Sequence, residues 1–191
     1  MLSAKLVSKP FIIVNTLLFA GYWVFMAAAY PTLPPEIPVH FSSAGNPTRF
    51  TNTSLFSWFM VPLIVTCLIL LILFSEKIIR STQLNSVYLN YPFKKEILSL
   101  EANQQKPFKS TLDYFNHTML QVVTFWVLLL FIYAGLNKYV FVISETILPL
   151  MSVMIILFFA MMLHTFWLVS KMKRSFKSQL EQLKPTSREP F

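Results

Sequence analysis

Residues 55–75 read LFSWFMVPLIVTCLILLILFS, a run without a single charged side chain. At about 1.5 Å rise per residue, such a run is long enough as an α-helix to cross the roughly 30 Å hydrocarbon core of a bilayer. The nearest charges on either side are Arg49 and Glu76. The same pattern recurs between Lys9 and Glu36, between Asp113 and Lys138, and between Glu145 and Lys171. Spans are therefore predicted at 10–30, 55–75, 115–136 and 147–170. Lipid offers no partner for backbone N–H and C=O groups, so these segments must be helical.

Composition points the same way. Of 191 residues, 55% are hydrophobic and only 13% charged, where a soluble domain carries about a quarter. Mean hydropathy is +0.58. This excludes a disordered chain, and the lone Cys67 excludes a disulfide-stapled mini-protein. The predicted fold is an all-α, integral membrane four-helix bundle over residues 1–170, with a basic tail at 171–191. An outer loop at 31–53 and an inner loop at 76–114 join the spans.

Of the 16 Lys and Arg residues, 14 fall in the N-terminal tail, the inner loop and the C-terminal tail, leaving Arg49 and Lys138 on the other side. The positive-inside rule then places both termini in the cytoplasm. The net charge of +8 reads as this topological signal and as attraction to anionic lipid, and no nucleic-acid partner is expected. Lys5, Lys9 and Ala27–Ala29 also fit a cleaved signal peptide. The length of the apolar stretch 11–29 and the anchors Trp23 and Tyr30 favour a retained span.

The outer loop contains Pro31, Pro34, Pro35, Pro38 and Pro47, which restrict φ and bias their neighbours to extended geometry. Gly45 and Asn46-Pro47 mark a turn. Ile37, Val39 and Phe41 alternate with Pro38 and His40, which predicts a short extended segment with one face against the bundle. Tyr30-Pro31, Leu33-Pro34, Ile37-Pro38, His40-Phe41 and Gly45-x-Pro47 together resemble the signature of the domain of unknown function 1648. That family is related to the N-terminal part of SdpI-type immunity proteins. Asn90-Tyr91-Pro92 and Asn103 extend the resemblance over about 10–135. Where the family commonly has an acid after Gly-x-Pro and a closing Lys, this sequence holds Thr48 and Thr53. The resemblance implies a bacterial inner-membrane protein.

His40 is the first candidate site residue, because its unperturbed pKa near 6.5 suits hydrogen bonding, proton transfer or metal binding. It reads as a structural hub of the loop, as a recognition residue, or as a metal ligand with Glu36 and Glu145. Glu36, Pro38, Phe41 and Gly45 complete this candidate ligand- or partner-binding loop. A second candidate is intramembrane. Asp113, His117, Gln121 and Thr124 share one helix face, and Asn15 and His164 lie at similar depth in their own spans. A polar cluster of Asn15, His117, Gln121, Thr124 and His164 is expected, either as interhelical glue or as a small pocket. In the inner loop, apolar residues interleaved with lysines predict an interfacial helix on anionic lipid or a docking surface for a partner. Pro107 is expected to open the helix of the third span.

The sequence carries no HExxH, GxSxG or CxxC motif, and neither catalytic residue, metal nor cofactor is expected. The preferred reading is a non-enzymatic accessory, sensing or immunity-like membrane protein that binds a membrane or extracytoplasmic protein or peptide through its outer loop. A small transporter subunit with a midspan polar site is the alternative, and a membrane enzyme using His40 the third. Oligomeric state is not legible.

Overall fold

The computed structural model describes residues 5–42, 46–145 and 150–183; Gly45 lies outside them. The elements are α1 (Lys5–Ala29), β1 (Glu36–Phe41), β2 (Pro47–Asn52), α2 (Leu55–Ser81), α3 (Lys94–Leu98), α4 (Ala102–Ser144) and α5 (Leu150–Leu183). Among the described residues, four helices are long and apolar enough to cross a membrane. The all-α expectation needs one correction. The outer loop holds a two-stranded antiparallel sheet with Glu36 opposite Asn52 and Pro38 opposite Phe50. The register slips on either side of His40. The predicted extended segment is β1; the return strand PTRFTN has no apolar alternation and gave no signal.

Local chemistry sets the helix starts. Ser54 caps α2: its hydroxyl accepts from the Ser57 N–H at 3.1 Å, and the Ser57 hydroxyl accepts from the Ser54 N–H at 2.9 Å. This reciprocal pairing satisfies two donors that a helix start leaves open. α4 begins at Ala102, five residues before Pro107, so proline does not open it. The turn is closed instead by Gln104, whose side-chain carbonyl accepts from the Glu101 N–H at 3.2 Å.

α4 is the hub. It packs against α1, α2 and α5, whereas α1 and α2 touch each other lightly. The four helices are thus arranged as spokes around one helix. Only 6% of the most apolar stretch of α5 is buried inside the protein, against 28% for α4; the rest of that apolar surface is suited to lipid. At the α1–α4 crossing, a Cβ on Gly135 would lie 2.9 Å from Tyr22 Cε2 and 3.0 Å from its hydroxyl. Tyr22 is itself buried and cannot swing away cheaply. Small residues at such crossings let helices approach closely. Gly135→Val should therefore lower stability by about 1–3 kcal/mol through overpacking. A variant that melts in detergent like the parent would disprove the close approach.

With 43 residues, α4 is about 65 Å long, roughly twice a bilayer core. Its first turns, the end of α5 and the inner loop enclose a separate core of Leu84, Tyr91, Ile97, Phe108, Leu112, Phe115, Met172 and Phe176. Tyr91 donates its hydroxyl to the Leu84 carbonyl at 3.1 Å, and burial raises its phenol pKa above the ordinary value. The inner loop thus packs part of its apolar surface, Leu84, Tyr91 and Ile97, inward onto α4 and α5. Residues 171–183 continue α5 rather than starting a tail. The other core, at the hairpin end, gathers Tyr22, Met26, Ala29, Ile37, Trp58, Val65 and Leu128.

Candidate functional site

The hairpin is seated on the helices through β1. Ile37 and Pro38 are buried, and the Phe41 ring meets Phe141 of α4 edge-on at 6.2 Å. At its base, the Thr53 N–H donates to the Pro35 carbonyl at 2.7 Å and the Thr53 hydroxyl to the Pro34 carbonyl at 2.5 Å. Below it lies Trp58, which donates Nε1–H to the Met26 carbonyl at 2.8 Å. The Lys138 ammonium sits 5.2 Å from the Trp58 ring centre and donates to the Ser57 carbonyl at 3.2 Å. The seat is rigid because a ring, a backbone bond and a cation converge on it.

The second strand, β2, is open. Thr48, Arg49 and Phe50 are exposed, with Phe50 at 49%. No third strand pairs with β2 among the described residues. An unpaired strand edge offers N–H and C=O groups that an incoming segment can pair with.

His40 and Glu36 are exposed as well. His40 Nδ1 lies 2.7 Å from the Thr48 hydroxyl across the sheet, so His40 ties the two strands at the surface. Among the described residues, no three His, Cys, Asp or Glu side chains gather as a metal site would require; His40, Glu36 and Glu145 are not brought together. Thr48 is the partner that sequence reasoning missed: His40 is registered against Arg49, and the irregularity that leaves Thr48 unopposed and within reach of the imidazole has no sequence signature.

Of the five residues expected to cluster inside the membrane, the structure joins two. Asn15 Nδ2 donates to the backbone carbonyl of Gln121 at 2.9 Å and to its side-chain oxygen at 3.0 Å. The Asn15 Oδ1 is buried without a partner. Thr124 donates to the Leu120 carbonyl of its own helix. His164 stands among the rings of Phe11, Trp126 and Trp167 at 6.1, 6.5 and 6.0 Å. His117 Nδ1 lies 2.7 Å from a Glu76 carboxylate oxygen, the same oxygen that Arg80 approaches at 2.5 Å. His117 and Glu76 are thus an α2–α4 tie at the boundary of the apolar stretch, where a carboxylate on α2 meets an imidazole on α4. The shared helix face was legible; which neighbour would face it was not.

Residues 17–66, which run from α1 through the hairpin into the middle of α2, match the model of the family described as domain of unknown function (DUF1648). The match is narrower than the resemblance over 10–135, and Asn90-Tyr91-Pro92 and Asn103 lie outside it. No curated protein and no solved structure matches the chain.

Proposed function

From the match of residues 17–66 to the model of the DUF1648 family, we propose that this is a bacterial inner-membrane protein that recognises a membrane or extracytoplasmic protein or peptide through its hairpin, without catalysing a reaction. The observation that carries this reading is the asymmetric hairpin. β1 is buried against the helices through Ile37 and Pro38, while β2 exposes Arg49, Phe50 and a free strand edge. A firmly seated strand with an open edge is suited to strand addition by a partner, with Phe50 and Arg49 supplying selectivity. The Lys and Arg bias supports an orientation with the hairpin outside and both termini in the cytoplasm. A role in accessory sensing or immunity is in keeping with such a surface.

A photo-crosslinking residue at Thr48, introduced in native membranes, is expected to yield one discrete adduct. The double variant Arg49→Glu/Phe50→Ser should abolish that adduct while changing stability by no more than about 0.5 kcal/mol per site, as exposed positions do. Persistence of the adduct in the double variant would overturn the recognition role. The transporter reading rests on the unpaired Asn15 Oδ1 beside Gln121. It would take precedence if purified protein in liposomes carried a flux that Asn15→Leu removes.

A further inference from the structure

Where the chain leaves α2 and enters α4, a groove opens between Gln83, Leu84 and Asn85 on one wall and Gln105, Lys106 and Lys109 on the other. No carboxylate lines it. Lys109 is held in place by an ion pair with Asp113 and by donating to the Arg80 carbonyl at 3.1 Å. Gln105 is fixed through the Leu100 carbonyl at 2.8 Å. Lys106 is exposed and has no ionic partner among the described residues, so the net positive charge of the groove rests on it. Gln83 and Asn85 add exposed amides on the facing wall. We propose that this groove binds the phosphate of an anionic lipid headgroup, with Lys106 supplying the charge and the fixed Lys109 and the amides supplying donors.

Depth and the adjoining turn favour a lipid over a free anion. Asp113 borders the charge-free stretch of α4, and Lys109 and Lys106 lie about 6 and 10 Å further along the helix. The headgroup layer adds roughly 5–8 Å to each side of the hydrocarbon core, so Lys109 lies within it and Lys106 at its outer margin, where a flexible lysine side chain can reach back to a phosphate. The turn after Asn85 displays Val87 and Tyr88 at 85% and 91% exposure. It is pinned from inside by the Lys94 ammonium, which donates to the carbonyls of Ser86 and Leu89, both at 2.6 Å. Displaying two such side chains to water is unfavourable; at the headgroup level a tyrosine is well placed. The inference does not depend on what the hairpin recognises.

Native mass spectrometry of the full-length protein, titrated with phosphatidylglycerol or phosphatidylcholine in mixed micelles, tests it. Phosphatidylglycerol should be retained in preference to phosphatidylcholine. Lys106→Gln should weaken that retention about fivefold, the contribution of one basic residue near a membrane surface. Lys95→Gln, an exposed lysine outside the groove, should leave it unchanged. Equal losses in the two variants, or equal retention of the two lipids, would overturn the site. Displacement of phosphatidylglycerol by inorganic phosphate at comparable concentration would make the ligand a free anion and overturn the lipid assignment.

Discussion

Trp58→Ala should destabilise the protein by about 3–5 kcal/mol, the range for deleting a buried tryptophan or phenylalanine side chain. Trp58 is fully buried and lies where α1, α2, α4 and the hairpin converge. Its truncation removes the bond to the Met26 carbonyl and the ring beneath the Lys138 ammonium. It also removes the packing that holds Ile37 of β1. Trp58→Phe keeps most of the volume and should recover over half of the loss. Amide exchange should accelerate first in β1 and in the hairpin ends of α1 and α2. Equilibrium unfolding in detergent reads the loss directly, and a Trp58→Ala protein within about 1 kcal/mol of the parent would remove Trp58 from its keystone role.

The second large effect is expected at the other end. Phe176 is fully buried, with its ring 6.1 Å from Tyr91 and 5.8 Å from Phe108. Phe176→Ala should cost about 3–5 kcal/mol, whereas Lys173→Ala, exposed on the same helix, should be close to neutral. The contrast separates a helix packed into a core from a solvated basic tail, because a tail would tolerate both changes. Trp58 and Phe176 belong to cores that share no residue. The double variant should therefore equal the sum of the singles within about 0.5 kcal/mol. A larger deviation would mean that the two cores are energetically coupled through α4.

Phe176 illustrates the limit of reading a sequence by composition. Within KMKRSFKSQLEQL (171–183) the charges dominate, and the segment reads as a basic tail. Its apolar positions Met172, Phe176 and Leu180 recur every four residues, the spacing of one helix face. That signal was present, but a stripe so narrow is persuasive only when something to pack against is known. Pro107 misled for a related reason. A proline in the first turns of a helix is tolerated at several positions, and the Glu101–Gln104 turn chose the start.

The four apolar helices and the stiff, extended character of Ile37–Phe41 were determined by the sequence alone. Both follow from one-dimensional properties: the length of a charge-free run, and the restriction that proline places on φ. Tertiary structure alone decided that α4 is the hub, that Asn15 meets Gln121 while His117 meets Glu76, and that Thr48 faces His40. These pairings depend on the rotation of each helix about its axis and on strand register. In an almost uniformly apolar helix many rotations bury similar area, so the hydrophobic pattern barely discriminates among them. Close packing at Gly135 and Tyr22, together with a few polar contacts, selects one.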